Sequence, residues 1–237
     1  METPGHQVQA MFAEIAPQYD LLNRVLSLGI DTRWRRRAVR RLGLEPGACL
    51  LDLCCGTGDL ALAFARTGVR VAGADFAAPM LPRARAKARR LGLAVPWVRA
   101  DAQALPWADA SFDGLSIAFG IRNVEDPQRA LRECRRVLRP GGRLAVLEFF
   151  PLPRGWWPAV YGFYFRRVLP RIAALFRAGR TPAYRYLPDS VDRFVAVETF
   201  EAWLEEAGFG AVRTESLTGG AARLVTATAL AAGEPAP

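Results

Sequence analysis

Residues 51–59 have the sequence LDLCCGTGD, in which an apolar run leads into two closely spaced glycines. The apolar run predicts a buried β-strand over 49–53. Gly56 and Gly58 predict a tight turn whose backbone can approach a ligand closely, because glycine has no Cβ atom to collide with it. A helix is predicted over 60–66. A strand, a glycine turn and a helix in this order are typical of ligand-binding α/β folds, although an ordinary βα loop would also fit the pattern.

The rest of the chain alternates short apolar runs with helical patterns, as in a sheet of parallel strands joined by helices. Helices are predicted over 34–42, 81–91, 127–138 and 200–207. Further strands are predicted over 70–74, 95–100, 112–119, 144–149, 211–216 and 222–229. The short Gly219-Gly220 turn predicts that the last two strands are antiparallel. The sequence therefore predicts an α/β fold with a seven-stranded, mostly parallel sheet, an antiparallel last strand and helices on both faces.

Acidic residues follow the second and third predicted strands. Asp75 could accept hydrogen bonds from both hydroxyls of a ribose. The Asp101 carboxylate and the N–H of Ala102 could bind the edge of an adenine. Each acid taken alone could equally cap a helix. Because the carboxyl ends of parallel strands meet at one edge of the sheet, these residues and the glycine turn together predict a ligand site there.

The glycine turn lacks the third glycine of a dinucleotide-binding loop, since Asp59 and Leu60 follow Gly58. Together with the helix–LRPGG–strand unit at 138–142 and the antiparallel terminal pair, it resembles the class I S-adenosylmethionine-dependent methyltransferases. The resemblance covers about residues 45–230 and implies a Rossmann-like class I methyltransferase fold with S-adenosyl-L-methionine as methyl donor. It implies the following cofactor-binding residues: Asp52, Gly56, Thr57, Gly58, Asp75, Phe76, Asp101 and Ala102.

Other stretches resemble one family of that class, the ubiquinone/menaquinone biosynthesis C-methyltransferases. They are 11–35, which contains YDLLN at 19–23, then AFGIRNV at 118–124, GGRLAVLEF at 141–149 and YLPDS at 186–190. The Cys54-Cys55 pair is similar to the menaquinone branch of the family. This resemblance implies methyl transfer to a ring carbon of 2-demethylmenaquinol. Two residues depart from the family pattern: Asp31 stands where relatives often carry histidine, and Ala118 where many carry serine or threonine.

The resemblance implies three catalytic residues, Arg122, Asn123 and Tyr19. A ring carbon becomes a good nucleophile when the neighbouring hydroxyl loses its proton, so the site must stabilise an oxyanion, supply a base, or both. Arg122 could hold the oxyanion, Asn123 could position the hydroxyl or a water, and Tyr19 could complete the network. Alternatively, Arg122 could form a surface ion pair with Glu125 or Asp126, and Tyr19 could be a core aromatic.

The net charge and the cysteine and histidine content bear on the alternative classes of function. The net charge is +9, which favours anionic partners, and the arginines at 35–37 could contact phosphates as in an RNA methyltransferase. The chain has no evident RNA-binding module, so no nucleic-acid partner is expected. Another small-molecule methyltransferase and a non-catalytic binding protein are the further alternatives. The four cysteines lack a CxxC spacing and His6 is the single histidine, so neither a metal site nor a histidine base is expected.

One methyltransferase domain over 1–237 is expected. Its predicted parts are an N-terminal helical segment on the substrate side (1–45), a cofactor-binding core (46–150), a cap insertion (151–196) and the end of the sheet (197–230). Within the insertion, 156–176 is rich in aromatics and arginines and could be an interfacial helix, or could pack on the domain or on the second subunit of a homodimer. The absence of a signal peptide and of a long apolar run predicts a cytoplasmic protein that could contact the inner face of the membrane.

Overall fold

The structure is a computed structural model that describes Ser27 and residues 29–151 and 183–231. The strands are β1 (Cys49–Leu53), β2 (Arg70–Asp75), β3 (Trp97–Arg99), β4 (Phe112–Ala118), β5 (Leu138–Glu148), β6 (Phe209–Leu217) and β7 (Ala222–Ala229). They form one seven-stranded sheet in the order β3-β2-β1-β4-β5-β7-β6. β7 is antiparallel to both β5 and β6, and the other neighbouring pairs are parallel. The predicted mostly parallel sheet with an antiparallel last strand is confirmed.

Helices cover both faces of this sheet, as predicted. They are α1 (Ile30–Leu42), α2 (Asp59–Ala65), α3 (Leu81–Arg90), α4 (Pro127–Val137), α5 (Ala183–Arg193) and α6 (Val197–Glu206). On one face α1, α2 and α3 contribute Trp34, Phe64 and Ala84 to a common core. On the other face α4 and α6 contribute Leu131 and Phe200. The inner strands read as nearly continuous apolar runs because helices bury them from both sides.

β5 begins earlier than the sequence predicts. Leu138 directly follows α4 and already pairs with Phe112 of β4. The register then shifts, so that Gly114 pairs with Arg143. The helix break predicted at 139–142 is therefore present, but it is an irregularity inside β5 and not a turn before the strand.

Helix α5 occupies most of the described C-terminal part of the predicted cap. Most of the rest of the insertion, including 156–176, lies outside the described residues, as does the N-terminal segment that contains Tyr19. Among the described helices, none is long and apolar enough to span a membrane.

The turns that follow β1 and β4 pack directly against each other. A Cβ atom at Gly120 would lie 2.3 Å from the Cβ of Cys54, which is closer than real side chains approach. Cys54 itself has a φ of 54°, a left-handed conformation that favours glycine. The two turns can therefore meet only because one of the facing residues has no side chain.

Gly120→Ala should lower the free energy of unfolding by about 1–3 kcal/mol, because its methyl group would overlap Cys54. Cys54→Gly should restore much of that loss in the double variant, since it removes the opposing side chain and relaxes a residue with positive φ. Denaturant unfolding of the four proteins in the cycle measures the coupling. Strictly additive effects would contradict the contact.

Candidate active site

The turn after β1 bends through three residues of positive φ, namely Cys54 (54°), Gly56 (53°) and Gly58 (85°). The N–H of Gly58 donates to the carbonyl of Cys55 at 2.8 Å and closes the turn. Cys54, Cys55 and Gly56 are partly exposed, whereas Thr57 and Gly58 are buried. Of the predicted cofactor-binding residues in this turn, Gly56 thus lies nearest the surface of the sheet edge.

The sequence predicts that Gly58 allows a ligand to approach, but the structure gives a different reason for glycine at this position. A Cβ atom at this position would lie 2.5 Å from the ring of Trp97 and 3.1 Å from the Cβ of Ala84. The collision is therefore with β3 and α3, inside the protein, and not with a ligand. The turn packs tightly on these elements, and this packing fixes its position.

Lys87 of α3 also fixes the turn, and the sequence patterns did not single it out. Its Nζ donates to the Thr57 Oγ1 at 2.8 Å and to the Asp59 Oδ1 at 2.6 Å, with the lysine side chain 15% exposed. The Thr57 hydroxyl, which is predicted to contact a cofactor, therefore already accepts a hydrogen bond from inside the protein. The composition does draw attention to this residue, because Lys87 is the only lysine of the chain.

Asp75 lies at the end of β2, directly beside the turn. Its Oδ2 accepts from the N–H of Gly56 at 2.7 Å, and its Oδ1 accepts from the N–H of Ala77 at 2.7 Å. Burial raises the pKa of this carboxyl, and the two backbone bonds oppose that rise. The neighbouring Phe76 is partly exposed, and the guanidinium of Arg99 lies over its ring, 5.7 Å from the ring centroid.

Asp101 and Ala102 follow β3 at the same edge of the sheet. The Asp101 Oδ1 accepts from the backbone N–H of Gln103 at 2.9 Å, and the Gln103 side chain donates to the same oxygen at 3.1 Å. Asp101 remains partly exposed, whereas Ala102 is buried. The structure thus aligns Gly56, Asp75 and Asp101 along the ends of three neighbouring strands.

Asp52 differs from the other predicted cofactor-binding residues because it is enclosed by the protein. It is 1% exposed, its Oδ1 accepts from the Ser116 hydroxyl at 2.6 Å, and its Oδ2 accepts from the N–H of Ala61 at 3.0 Å. Burial raises its pKa to about 7. Asp52 therefore joins β1, α2 and β4 beneath the turn.

Arg122 lies in a short 3-10 turn after β4, with its side chain 4% exposed. Its Nη1 donates to the Glu148 Oε1 at 2.6 Å and to the carbonyl of Phe119 at 2.8 Å. Its Nε donates to the Ser190 Oγ at 3.2 Å. The guanidinium is thus held by three elements of the fold through its Nε and Nη1.

Arg122 therefore forms its ion pair with Glu148. The alternative prediction, a surface ion pair with Glu125 or Asp126, is wrong. The guanidinium turns inward to the end of β5, where Glu148 is 0% exposed. Burial raises the pKa of Glu148, while the charge of Arg122 and the N–H of Phe149 act against the rise.

Asn123 lies beside Arg122 and contacts α5. Its Oδ1 accepts from the hydroxyl of Tyr186 at 2.9 Å, and its Nδ2 donates to the carbonyl of Phe119 at 3.4 Å. Burial raises the pKa of Tyr186. Glu148, Tyr186 and Ser190 had no predicted role, although all three lie in the stretches that resemble the family.

Aromatic rings connect Arg122 and Asn123 to α1. Phe119 and Phe149 are stacked with centroids 4.6 Å apart. The guanidinium of Arg35 lies 5.5 Å from the Phe119 ring, and that of Arg122 lies 5.7 Å from the Phe149 ring. Arg35 in turn pairs with Asp31, the residue that departs from the family pattern. Two cations therefore enclose two stacked rings between α1 and the turn after β4.

The two groups of predicted residues are neighbours, because the turns that carry them meet at Cys54 and Gly120. The turn after β1 lies beside the carboxylate of Asp75, and the turn after β4 carries the guanidinium of Arg122 and the amide of Asn123. In the part of the chain that the structure describes, no cluster of histidine, cysteine, aspartate or glutamate could hold a metal ion. Tyr19, the third predicted catalytic residue, lies outside the described residues.

Asp52→Asn should remove a dependence of stability on pH. The raised pKa means that the folded protein binds more protons than the unfolded chain between about pH 4 and 7, so stability falls as pH rises through this window. Asparagine keeps an acceptor for Ala61 and has no charge to bury, so the variant should gain up to about 4 kcal/mol over wild type across the window. Unfolding at several pH values measures this difference.

Asp113→Asn is the matched control for this prediction. The N–H of Cys49 lowers the pKa of Asp113, so this carboxylate stabilises the protein at neutral pH and loses that effect as pH falls. Its substitution should therefore change the pH dependence in the opposite direction. An Asp52→Asn protein with the wild-type slope would contradict the assignment.

Comparisons with known proteins agree with this geometry. Residues 1–229 match the ubiE/COQ5 methyltransferase family. A demethylmenaquinone methyltransferase of Thermus thermophilus is 55% identical over 217 residues, which cover 90% of this chain and 97% of the relative. A ubiquinone/menaquinone biosynthesis C-methyltransferase UbiE of Geobacter sp. is 43% identical over 233 residues, covering 94% and 97% of the two chains.

The fold also matches solved structures. A SAM-dependent methyltransferase from Aquifex aeolicus superposes with a TM-score of 0.60 at 20% identity, over 83% of this chain and 89% of the other. At this identity the likeness concerns the fold alone, and it confirms the predicted class I architecture. By its sequence match over nearly the whole chain, the protein belongs to the ubiE/COQ5 methyltransferase family.

Proposed function

We propose that this protein transfers a methyl group from S-adenosyl-L-methionine to a ring carbon of 2-demethylmenaquinol and so forms menaquinol. The observation that supports this most strongly is the juxtaposition of two turns. One has the features of a nucleoside site, and the other holds a buried guanidinium and an amide next to it. The 55% identical relative is named for this acceptor.

The donor fits the residues at the ends of β1, β2 and β3. Each oxygen of Asp75 accepts one backbone bond and has a further lone pair that can accept from a ribose hydroxyl. Phe76 offers an apolar ring, and Asp101 with the Ala102 N–H can bind the adenine edge. Gly56 brings uncovered backbone to the same edge. When bound, S-adenosyl-L-methionine supplies an electrophilic methyl group on a sulfonium.

Arg122 and Asn123 are the proposed catalytic residues on the acceptor side. A phenolic hydroxyl has a pKa of about 10 in water, so the site must favour the oxyanion that makes the adjacent carbon nucleophilic. A guanidinium fixed on three sides can stabilise this charge without reorganising, which is most effective in a site that excludes water. Asn123 adds an amide donor at the same turn.

Proton transfer completes the balance of the reaction. The quinol hydroxyl loses one proton, the carbon–carbon bond forms as the carbon–sulfur bond of the donor breaks, and the neutral thioether S-adenosyl-L-homocysteine leaves. The ring carbon then loses its hydrogen as a proton and the oxygen regains one, which restores the aromatic quinol with a net release of one proton. Arg122 and Asn123 act through orientation and charge, and bringing the reacting groups together in a dry site supplies much of the rate. Tyr19 is proposed to complete this network from the N-terminal segment.

Asn123→Ala and Arg122→Lys should each lower kcat for demethylmenaquinol by about 10²-fold, because each removes donors from the oxyanion. Lysine keeps the charge of Arg122 and so limits the damage to the buried pair. The assay follows radioactive methyl transfer to demethylmenaquinone reduced to the quinol, with the product separated by chromatography. Arg132→Lys, on the exposed surface of α4, is the matched control and should behave as wild type. A wild-type protein that does not methylate this quinol would refute the proposed function.

A peripheral contact with anionic membrane is proposed as well, because the acceptor carries an isoprenoid tail. Arg33, Arg36 and Arg40 recur at helical spacing on α1 and are exposed, whereas Arg37 and Arg41 are paired with Glu215. Basic side chains of this kind are attracted to anionic headgroups by about 1 kcal/mol each. Cytoplasmic localisation at the inner face of the membrane would follow.

Replacing Arg33, Arg36 and Arg40 together by glutamine should reduce co-sedimentation with phosphatidylglycerol vesicles by at least about tenfold at low salt. The matched control replaces Arg89, Arg90 and Arg132, which are also exposed, and removes the same charge elsewhere. Equal losses in the two triple variants would argue against α1 as the contact surface.

A further inference from the structure

Helix α5 contacts both proposed catalytic residues through one of its faces. Tyr186 and Ser190 are four residues apart, so their side chains leave the helix on the same side. The Tyr186 hydroxyl donates to the Asn123 Oδ1 at 2.9 Å, and the Ser190 Oγ accepts from the Arg122 Nε at 3.2 Å. Arg122 and Asn123 thus each have their own hydrogen-bond partner on α5.

The bond from Tyr186 determines which end of the Asn123 amide faces away from α5. A side-chain amide has an acceptor oxygen and a donor nitrogen of nearly the same shape, so its orientation depends on its hydrogen bonds. With Tyr186 donating to Oδ1, the nitrogen is directed away from that bond and makes a long contact of 3.4 Å with the Phe119 carbonyl. The amide can then offer an N–H to an anionic oxygen. The opposite orientation would present an oxygen and repel it.

Ser190 has a corresponding effect on Arg122. Glu148 and the Phe119 carbonyl both accept from Nη1, which fixes one corner of the guanidinium. A third bond at Nε prevents rotation about that corner and sets the plane of the group. Without it, the remaining donors would be free to turn away from the acceptor.

We propose that Tyr186 and Ser190 are positioning residues, which orient the Asn123 amide and the Arg122 guanidinium so that both direct N–H groups at the quinol oxyanion. This inference rests on the proposed function, in which Arg122 and Asn123 bind that oxyanion. Burial raises the pKa of Tyr186, which keeps its hydroxyl protonated and able to donate. Helix α5 is therefore part of the proposed catalytic arrangement.

Tyr186→Phe tests this directly, because it removes one oxygen and leaves the ring in place. We expect kcat for the reduced quinol to fall roughly tenfold, the effect of losing one oriented hydrogen bond. The KM for S-adenosyl-L-methionine should not change, since its proposed residues lie on other strands. The acid limb of the kcat profile should move to higher pH, because a less stabilised oxyanion forms less readily.

The double variant with Asn123→Ala separates positioning from a general loss of structure. If Tyr186 acts through Asn123, Tyr186→Phe should cost less than about twofold in the Asn123→Ala background. Ser190→Ala should likewise have little added effect in the Arg122→Lys background. Thermal unfolding of every variant records any change in stability.

The outcomes distinguish this inference from the function on which it rests. Absence of quinol methylation by the wild-type protein would refute the proposed function itself. An active wild type with an impaired Asn123→Ala variant, but with wild-type kcat and pH profile in Tyr186→Phe, would overturn only the positioning role. Multiplicative losses in the double variant would overturn it too.

Discussion

The proposed acceptor side of the site depends on the buried ion pair between Arg122 and Glu148. Removing both charges from water is costly, and an unpaired buried charge would cost several kcal/mol. The fold therefore surrounds the pair with further hydrogen bonds: the Phe119 carbonyl and the Ser190 hydroxyl accept from Arg122, and the N–H of Phe149 donates to Glu148. Phe119 supplies its carbonyl from a backbone with a φ of 58°, an unusual conformation for a phenylalanine. Strain at this residue is compatible with a site whose geometry the surroundings over-determine.

Strand order explains why this pair lies next to the donor turn. The chain places β2 and β3 on one side of β1 and then returns to place β4 on the other side. β1 and β4 are therefore neighbours, and the strand order reverses between them. Such a topological switch point is where open α/β sheets bind ligands, and the turns after β1 and β4 both lie there. Gly120 allows them to come into contact at Cys54. Local sequence builds each turn, and the topology of the sheet brings them together.

Patterns along the chain predicted the strands, their mostly parallel arrangement and the edge of the sheet where the candidate residues lie. They succeeded because strands and turns are decided by nearby residues, as in the LDLCCGTGD segment. They failed where a role depends on contacts between distant residues. The partner of Arg122 is 26 positions away and that of Asn123 is 63 positions away, and no local pattern links them. The local pattern predicts that Gly58 faces a ligand, whereas its neighbour in the structure is Trp97, which lies on another strand.

The proposed donor and acceptor halves of the site are encoded very differently along the chain. The donor half comes from one continuous stretch, from β1 to the residues just after β3, whereas the acceptor half combines a turn after β4, the end of β5 and a helix of the insertion. Evolution can therefore remodel the acceptor half by changing the insertion, while the donor half stays intact. A fold organised in this way can acquire new methyl acceptors by exchanging one segment, and the specificity of a relative should be sought first in its counterpart of α5.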